Sequence, residues 1–96
     1  MSDLFVNDQW RVTDYGIEAV YPPAPDYHIA KARLSEPDWL EHMAEKPWVN
    51  IEAFIEAYEK ALEIHKGQYP ATITDAQLSD LKAKARRIAH RTAREV

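Results

Sequence analysis

Pro22, Pro23 and Pro25 divide this chain of 96 residues into two stretches whose apolar positions repeat with different periods. Their fixed φ and missing N–H keep YPPAPDY out of helix interiors and central strands, so residues 22–34 begin as an extended, polyproline-like crossing inside one domain. Ahead of it, in residues 4–21, Trp10 and Val12 alternate with Gln9, Arg11 and Thr13, the period of two that marks a half-buried strand. Asn7-Asp8 reads as one turn, and Asp14-Tyr15-Gly16 as a three-residue hairpin loop with Gly16 left-handed. A ribbon of two or three such strands is marginal alone and must pack on helices.

Beyond the prolines the period changes to that of a helix. YHIAKARL suits either a third or edge strand or a short helical turn, and propensity does not separate the two. A short helix is expected over 36–46, with Pro37 in its first turn, Trp39, Leu40, Met43 and Ala44 on its apolar side, and Pro47 ending it. Asn50 is a suitable N-cap for a helix over 51–66, closed by Gly67 and Pro70. Ile51, Phe54, Ile55, Tyr58, Ala61, Leu62 and His65 share one face of it, about 120° wide. Thr74 and Gln77 form a reciprocal capping box ahead of a helix over 75–94, whose inner side is Leu78, Leu81, Ala85, Ile88, Ala89 and Thr92. The expected fold is α+β, one domain over 1–96, with an antiparallel ribbon packed on a short helix and two longer antiparallel helices.

Composition narrows the function classes. A 46% hydrophobic content with three Trp, five Tyr and two Phe supports one core without metal or disulfide help. The absence of Cys removes a Cys-ligated zinc site and a thiol nucleophile. Gly16 and Gly67 are too far apart for a phosphate-cradling loop, and Ser2, Ser35 and Ser79 lack nucleophile-elbow glycines. His42 with Glu41 and Glu45 falls short of a three- or four-ligand metal set, and His65 reads as a core histidine bonded through one nitrogen. No catalytic residue, metal or cofactor is therefore expected. The first twenty residues have neither a basic start nor a long apolar run, so a cytoplasmic protein without a membrane partner is expected.

Charge is the remaining signal. Before residue 75 there are six basic and thirteen acidic side chains, and from 75 onwards six basic and three acidic, within a net charge of −4. Glu52, Glu56, Glu59 and Glu63 recur at steps of four, three and four, a row of carboxylates beside the apolar face of the 51–66 helix. Such a row is either a solvated face or a docking site for a basic protein partner. Lys82, Lys84, Arg86, Arg87, Arg91 and Arg94 spread over about 200° of the last helix, with Lys82, Arg86, Arg87, Arg91 and Arg94 the candidates for gripping nucleic acid. The acidic body and the lack of aromatics among these cations weigh against nucleic acid. The alternatives are a solvated end, or pairing with the glutamates of the preceding helix in the same or a second chain, which allows a homodimer. Trp10, Trp39 and Trp48 read as core anchors, an exposed one becoming an interface hot spot. HMAEKPWVN also brings His42, Lys46 and Trp48 close enough in sequence for a small partner-binding patch.

The strings NDQWRVT and HMAEKPWVNIEAF resemble those of small uncharacterised proteins carried by bacterial plasmids and integrated elements. That resemblance covers about a third of the chain and implies an accessory or inhibitory role in a bacterial cytoplasm. Its reading with the residues above is a non-enzymatic interaction module, an inhibitor or adaptor, using the acidic helix face; the alternative is a nucleic-acid accessory protein using the basic helix.

Overall fold

The first chain reversal is made by one side chain. Asn7 Oδ1 accepts hydrogen bonds from the Gln9 and Trp10 amides at 3.1 and 2.9 Å, turning the chain between Phe5–Val6 (β1) and Trp10–Thr13 (β2). The computed structural model describes residues 4–20, 28–34, 36, 38–68 and 73–95. Within them the protein is an α+β fold, a four-stranded antiparallel sheet in the order β1-β2-β3-β4 followed by three α-helices. The Pro-rich residues 22–25 lie outside the described residues.

The hairpin between β2 and Gly16–Ala19 (β3) is tighter than the three-residue loop expected. Thr13 pairs with Gly16, leaving only Asp14 and Tyr15 as the loop. Gly16 belongs to the strand, with φ +148°, because the Ile29 carbonyl oxygen occupies the space a Cβ would need. The two readings of YHIAKARL are both realised in succession: His28–Ala30 forms β4, adding a fourth strand where a crossing was expected, and Lys31–Arg33 makes a 3₁₀ turn. Lys31 N–H donates to the Tyr15 carbonyl at 2.8 Å, fastening that junction to the hairpin.

Alternation places the core on one face of the sheet. Phe5, Val12, Ile17 and Ile29 stand abreast across the four strands, and Trp10 pairs with Ala19 beside them. Ile51–Ile64 (α2) covers this face, burying Phe54, Ile55, Ala57, Tyr58 and Ala61. Ala57 is buried although it lies outside the expected apolar stripe, because α2 is sandwiched between the sheet and the other helices. Asn50 caps α2 as expected, accepting from the Glu52 and Ala53 amides at 3.1 and 3.4 Å. Trp39–Ala44 (α1) is shorter than the 36–46 expected, since the chain at Glu36 still bonds back to Arg33 in the preceding turn.

Asp75–Glu95 (α3) opens with the capping box read from sequence: Thr74 N–H donates to Gln77 Oε1 at 2.9 Å, and Gln77 N–H to Thr74 Oγ1 at 3.2 Å. Its position differs from the expected helix pair lying on the ribbon. It packs on α1 and α2, with α2 between it and the sheet. Only Ala85 of its inner stripe is fully buried, while Leu78, Leu81, Ile88, Ala89 and Thr92 are half-buried. This is the outer helix of the fold, which is what puts its charges at the surface.

Candidate interaction surfaces

The glutamate row lies on the solvent side of α2, along a groove of about 590 Å³ lined by Glu52, Ile55, Glu56, Glu59, Glu63 and Arg86, among others. Four carboxylates at helical spacing repel one another, and the fold relieves that repulsion from outside the helix. Arg86 grips Glu52 with both ends of its guanidinium, Nε to Oε2 at 2.7 Å and Nη2 to Oε1 at 2.9 Å. Lys82 Nζ donates to Glu59 Oε2 at 3.1 Å. Because Glu59 meets Lys82 and the earlier Glu52 meets the later Arg86, α2 and α3 run antiparallel where they touch. Asn7 Nδ2, from the β1–β2 turn, donates to Glu56 Oε1 at 3.0 Å and to the Ala53 carbonyl at 2.8 Å. Lys60 stands 5.9 Å from the Phe5 ring centroid, a cation–π position, instead of pairing with Glu56. Glu63 is exposed.

The expected free anionic face is therefore present only in part. Half of its carboxylates are already matched to cations of the same chain, which is one of the pairings the sequence left open. These hydrogen bonds from Arg86, with its positive charge, hold the Glu52 carboxyl below its ordinary value of 4.5. A depressed carboxylate stabilises the folded state above its unfolded pKa, and that contribution is lost as pH falls through the folded pKa. Glu52→Gln should lower Tm slightly at neutral pH, and the difference from wild type should shrink towards zero on acidification below 4.5. Thermal melts by circular dichroism across pH 3 to 7 read this, and a difference that persists at the acid end removes the pairing as its cause.

The cations of α3 sort into two sets that the wheel alone had merged. Lys82 and Arg86 turn to α2, and Lys84 Nζ reaches Glu41 Oε1 on α1 at 3.1 Å. Arg87, Arg91 and Arg94 are exposed and fall within about 60° of one another, away from the Ala85 stripe. Among the described residues no carboxylate pairs with any of the three. The result is a convex ridge of guanidiniums at positions i, i+4 and i+7.

His42, Lys46 and Trp48 do not share a surface. His42 is exposed and edge-on to Trp39 at 5.3 Å, beside Glu36 and Asp38. Lys46 lines a separate groove with Val49, Ala89 and Thr92. Trp48 is half-buried and stacks on Trp10 at 5.7 Å, and its carbonyl accepts from Gln9 Nε2 at 2.8 Å. The proline at 47 reorients the chain between the end of α1 and the start of α2, so sequence neighbours diverge. His65 is 3% exposed, with Nε2 2.8 Å from the Thr13 carbonyl; as a carbonyl only accepts, Nε2 carries the hydrogen.

Sequence reading missed the polar ties made by Asn7 and Gln9. Gln9 bonds both the Trp48 carbonyl and, through Oε1, the Asn50 amide at 2.6 Å, so the first turn of the chain is held to the start of α2. Nothing local marks an Asn or Gln in a turn as reaching a distant helix. Among the described residues, no three His, Asp or Glu side chains come together as a metal site, and no helix is long and apolar enough to cross a membrane. Compared with known proteins, the chain matches no family model, no curated relative and no solved structure.

Proposed function

We propose that this protein is a non-enzymatic interaction module that captures an acidic protein surface through the arginine ridge of α3. One observation carries the reading: three of the six cations of α3 are each tied to a carboxylate of α1 or α2, while Arg87, Arg91 and Arg94 are left together on one outward face. Like charges at i, i+3 and i+4 cost a helix about 0.2–0.5 kcal/mol per pair, offset in part by the negative end of the helix dipole near Arg91 and Arg94. Guanidiniums are weakly hydrated and match carboxylates two bonds at a time, which suits them to a protein partner. The α2 face is the weaker candidate for a basic partner, because Glu52 and Glu59 already have cations.

An accessory, inhibitory or adaptor role in a bacterial cytoplasm fits this reading. Nucleic acid suits it less, with a body of net charge −4 and no aromatic side chain interleaved with the ridge. The test compares capture from source lysate, with and without nuclease treatment, by wild type and by a variant carrying R87E, R91E and R94E. Loss of a specific protein from the variant, at unchanged helical content, supports the reading. An unchanged captured set overturns it, as does a gel shift of random single-stranded DNA at low salt combined with nuclease-sensitive capture.

A further inference from the structure

We infer that the ridge of α3 also docks into the α2 groove of a second copy of this chain, giving a salt-sensitive homodimer; this rests on the reading of the ridge as a docking surface. The argument is complementarity of charge, shape and spacing. The ridge is convex and cationic, and the groove is concave and lined by four carboxylates. Arg86 and Lys82 of the same chain engage Glu52 and Glu59, which leaves Glu56 and Glu63 without a cation among the described residues. Those two are seven residues apart, as are Arg87 and Arg94. At 1.5 Å per residue both spans are about 10.5 Å, so two helices laid side by side meet at both positions in one register.

The only other cation lining the groove among the described residues is Lys60, and its ammonium is drawn to one wall over Phe5. Ridge and groove sit on adjoining helices, so a two-fold arrangement lets each copy offer its ridge to the other's groove in a closed, reciprocal pair. The contacts are exposed ion pairs, individually weak, so the association is concentration-dependent and falls as salt screens it.

Sedimentation velocity of the full chain at low and high salt is the direct measurement. Wild type should associate at about 20 mM salt and dissociate at about 500 mM. R87E/R94E and, separately, E63K should each weaken association at least roughly tenfold. The Glu63 side chain is exposed and makes no hydrogen bond or ion pair among the described residues, so E63K breaks none, and circular dichroism checks helical content in both variants. Mixing the two variants should restore a heterodimer through one of the two contacts, because the intact ridge of the E63K chain meets the intact groove of the ridge variant. A wild type that stays monomeric at low salt, or a mixture that fails to associate, overturns the inference. If that happens while the ridge variant still loses its captured partner from lysate, the dimer fails and the proposed function stands.

Discussion

Gly16→Ala should cost about 3 kcal/mol or more, whereas Gly67→Ala, the same substitution at a second positive φ, should cost only about 1–2 kcal/mol. Both residues have φ values that L side chains rarely adopt, +148° and +86°. They differ in what surrounds them. Nothing lies within 4 Å of a Cβ built on Gly67, so only backbone strain is added there. A Cβ on Gly16 overlaps the Ile29 carbonyl oxygen, and the backbone of Ala30 is close behind. Because Gly16 pairs with Ala30 and also with Thr13, the added methyl has to push β4 away or open the hairpin. Urea unfolding followed by circular dichroism at 222 nm compares the two variants, with ΔG read from midpoint and slope. Equal losses would mean that the close passage of β4 over Gly16 does not limit stability.

Trp10→Ala should be the most damaging single truncation of the core, costing about 3–5 kcal/mol. Trp10 is fully buried and is the joint between sheet and helix: it meets Phe54 of α2 edge-on at 5.0 Å and stacks on Trp48 at 5.7 Å. Aromatic pairs of this geometry add about 0.5–1.5 kcal/mol to the area they bury. A domain of this size has about 5–15 kcal/mol in total, so the variant should lose a large share of its stability and unfold at a clearly lower denaturant concentration than wild type. Trp48→Ala serves as the comparison, since Trp48 is half-buried and covers Trp10 from one side. Its loss should be clearly smaller. Chemical denaturation read by circular dichroism avoids the change in fluorescence that removing a tryptophan causes. A Trp10→Ala variant as stable as Trp48→Ala would displace Trp10 from the centre of the core.

Much of this architecture was legible because the decisive signals are local. Asn50, and Thr74 with Gln77, announce their helices through their own side chains, and the hydrogen bonds they make are those expected of them. His65 was placed in the core by its position on the apolar face of α2, and it bonds there through one nitrogen as expected. The fourth strand was not separable from a helical turn because three residues of strand and three of 3₁₀ turn follow each other without a break. The two-residue width of the hairpin loop is not legible locally, because Gly16 answers to Ile29, thirteen residues away, and not to its own turn.

The charged surfaces were legible as composition and not as geometry. A helical wheel gives the angle of each cation on α3 but not which neighbour stands at that angle. Knowing that α1 and α2 flank α3 turns a diffuse 200° arc into one set facing carboxylates and another facing outward. The glutamate row was correctly placed on α2, and its relief by Arg86, Lys82 and Asn7 could only come from the tertiary arrangement.

The way α3 is attached has a consequence of its own. Its first turn is closed by its own box, its last turns carry cations suited to the dipole, and it is held to the body by buried Ala85, a half-covered stripe and ion pairs, packing most closely on α1, where Leu40, Met43 and Ala44 are buried. A rod that holds its own shape but also closes the core from outside ties the order of α1 to its own, so loss of α3 would uncover Leu40 and Met43 and unseat the short helix with it.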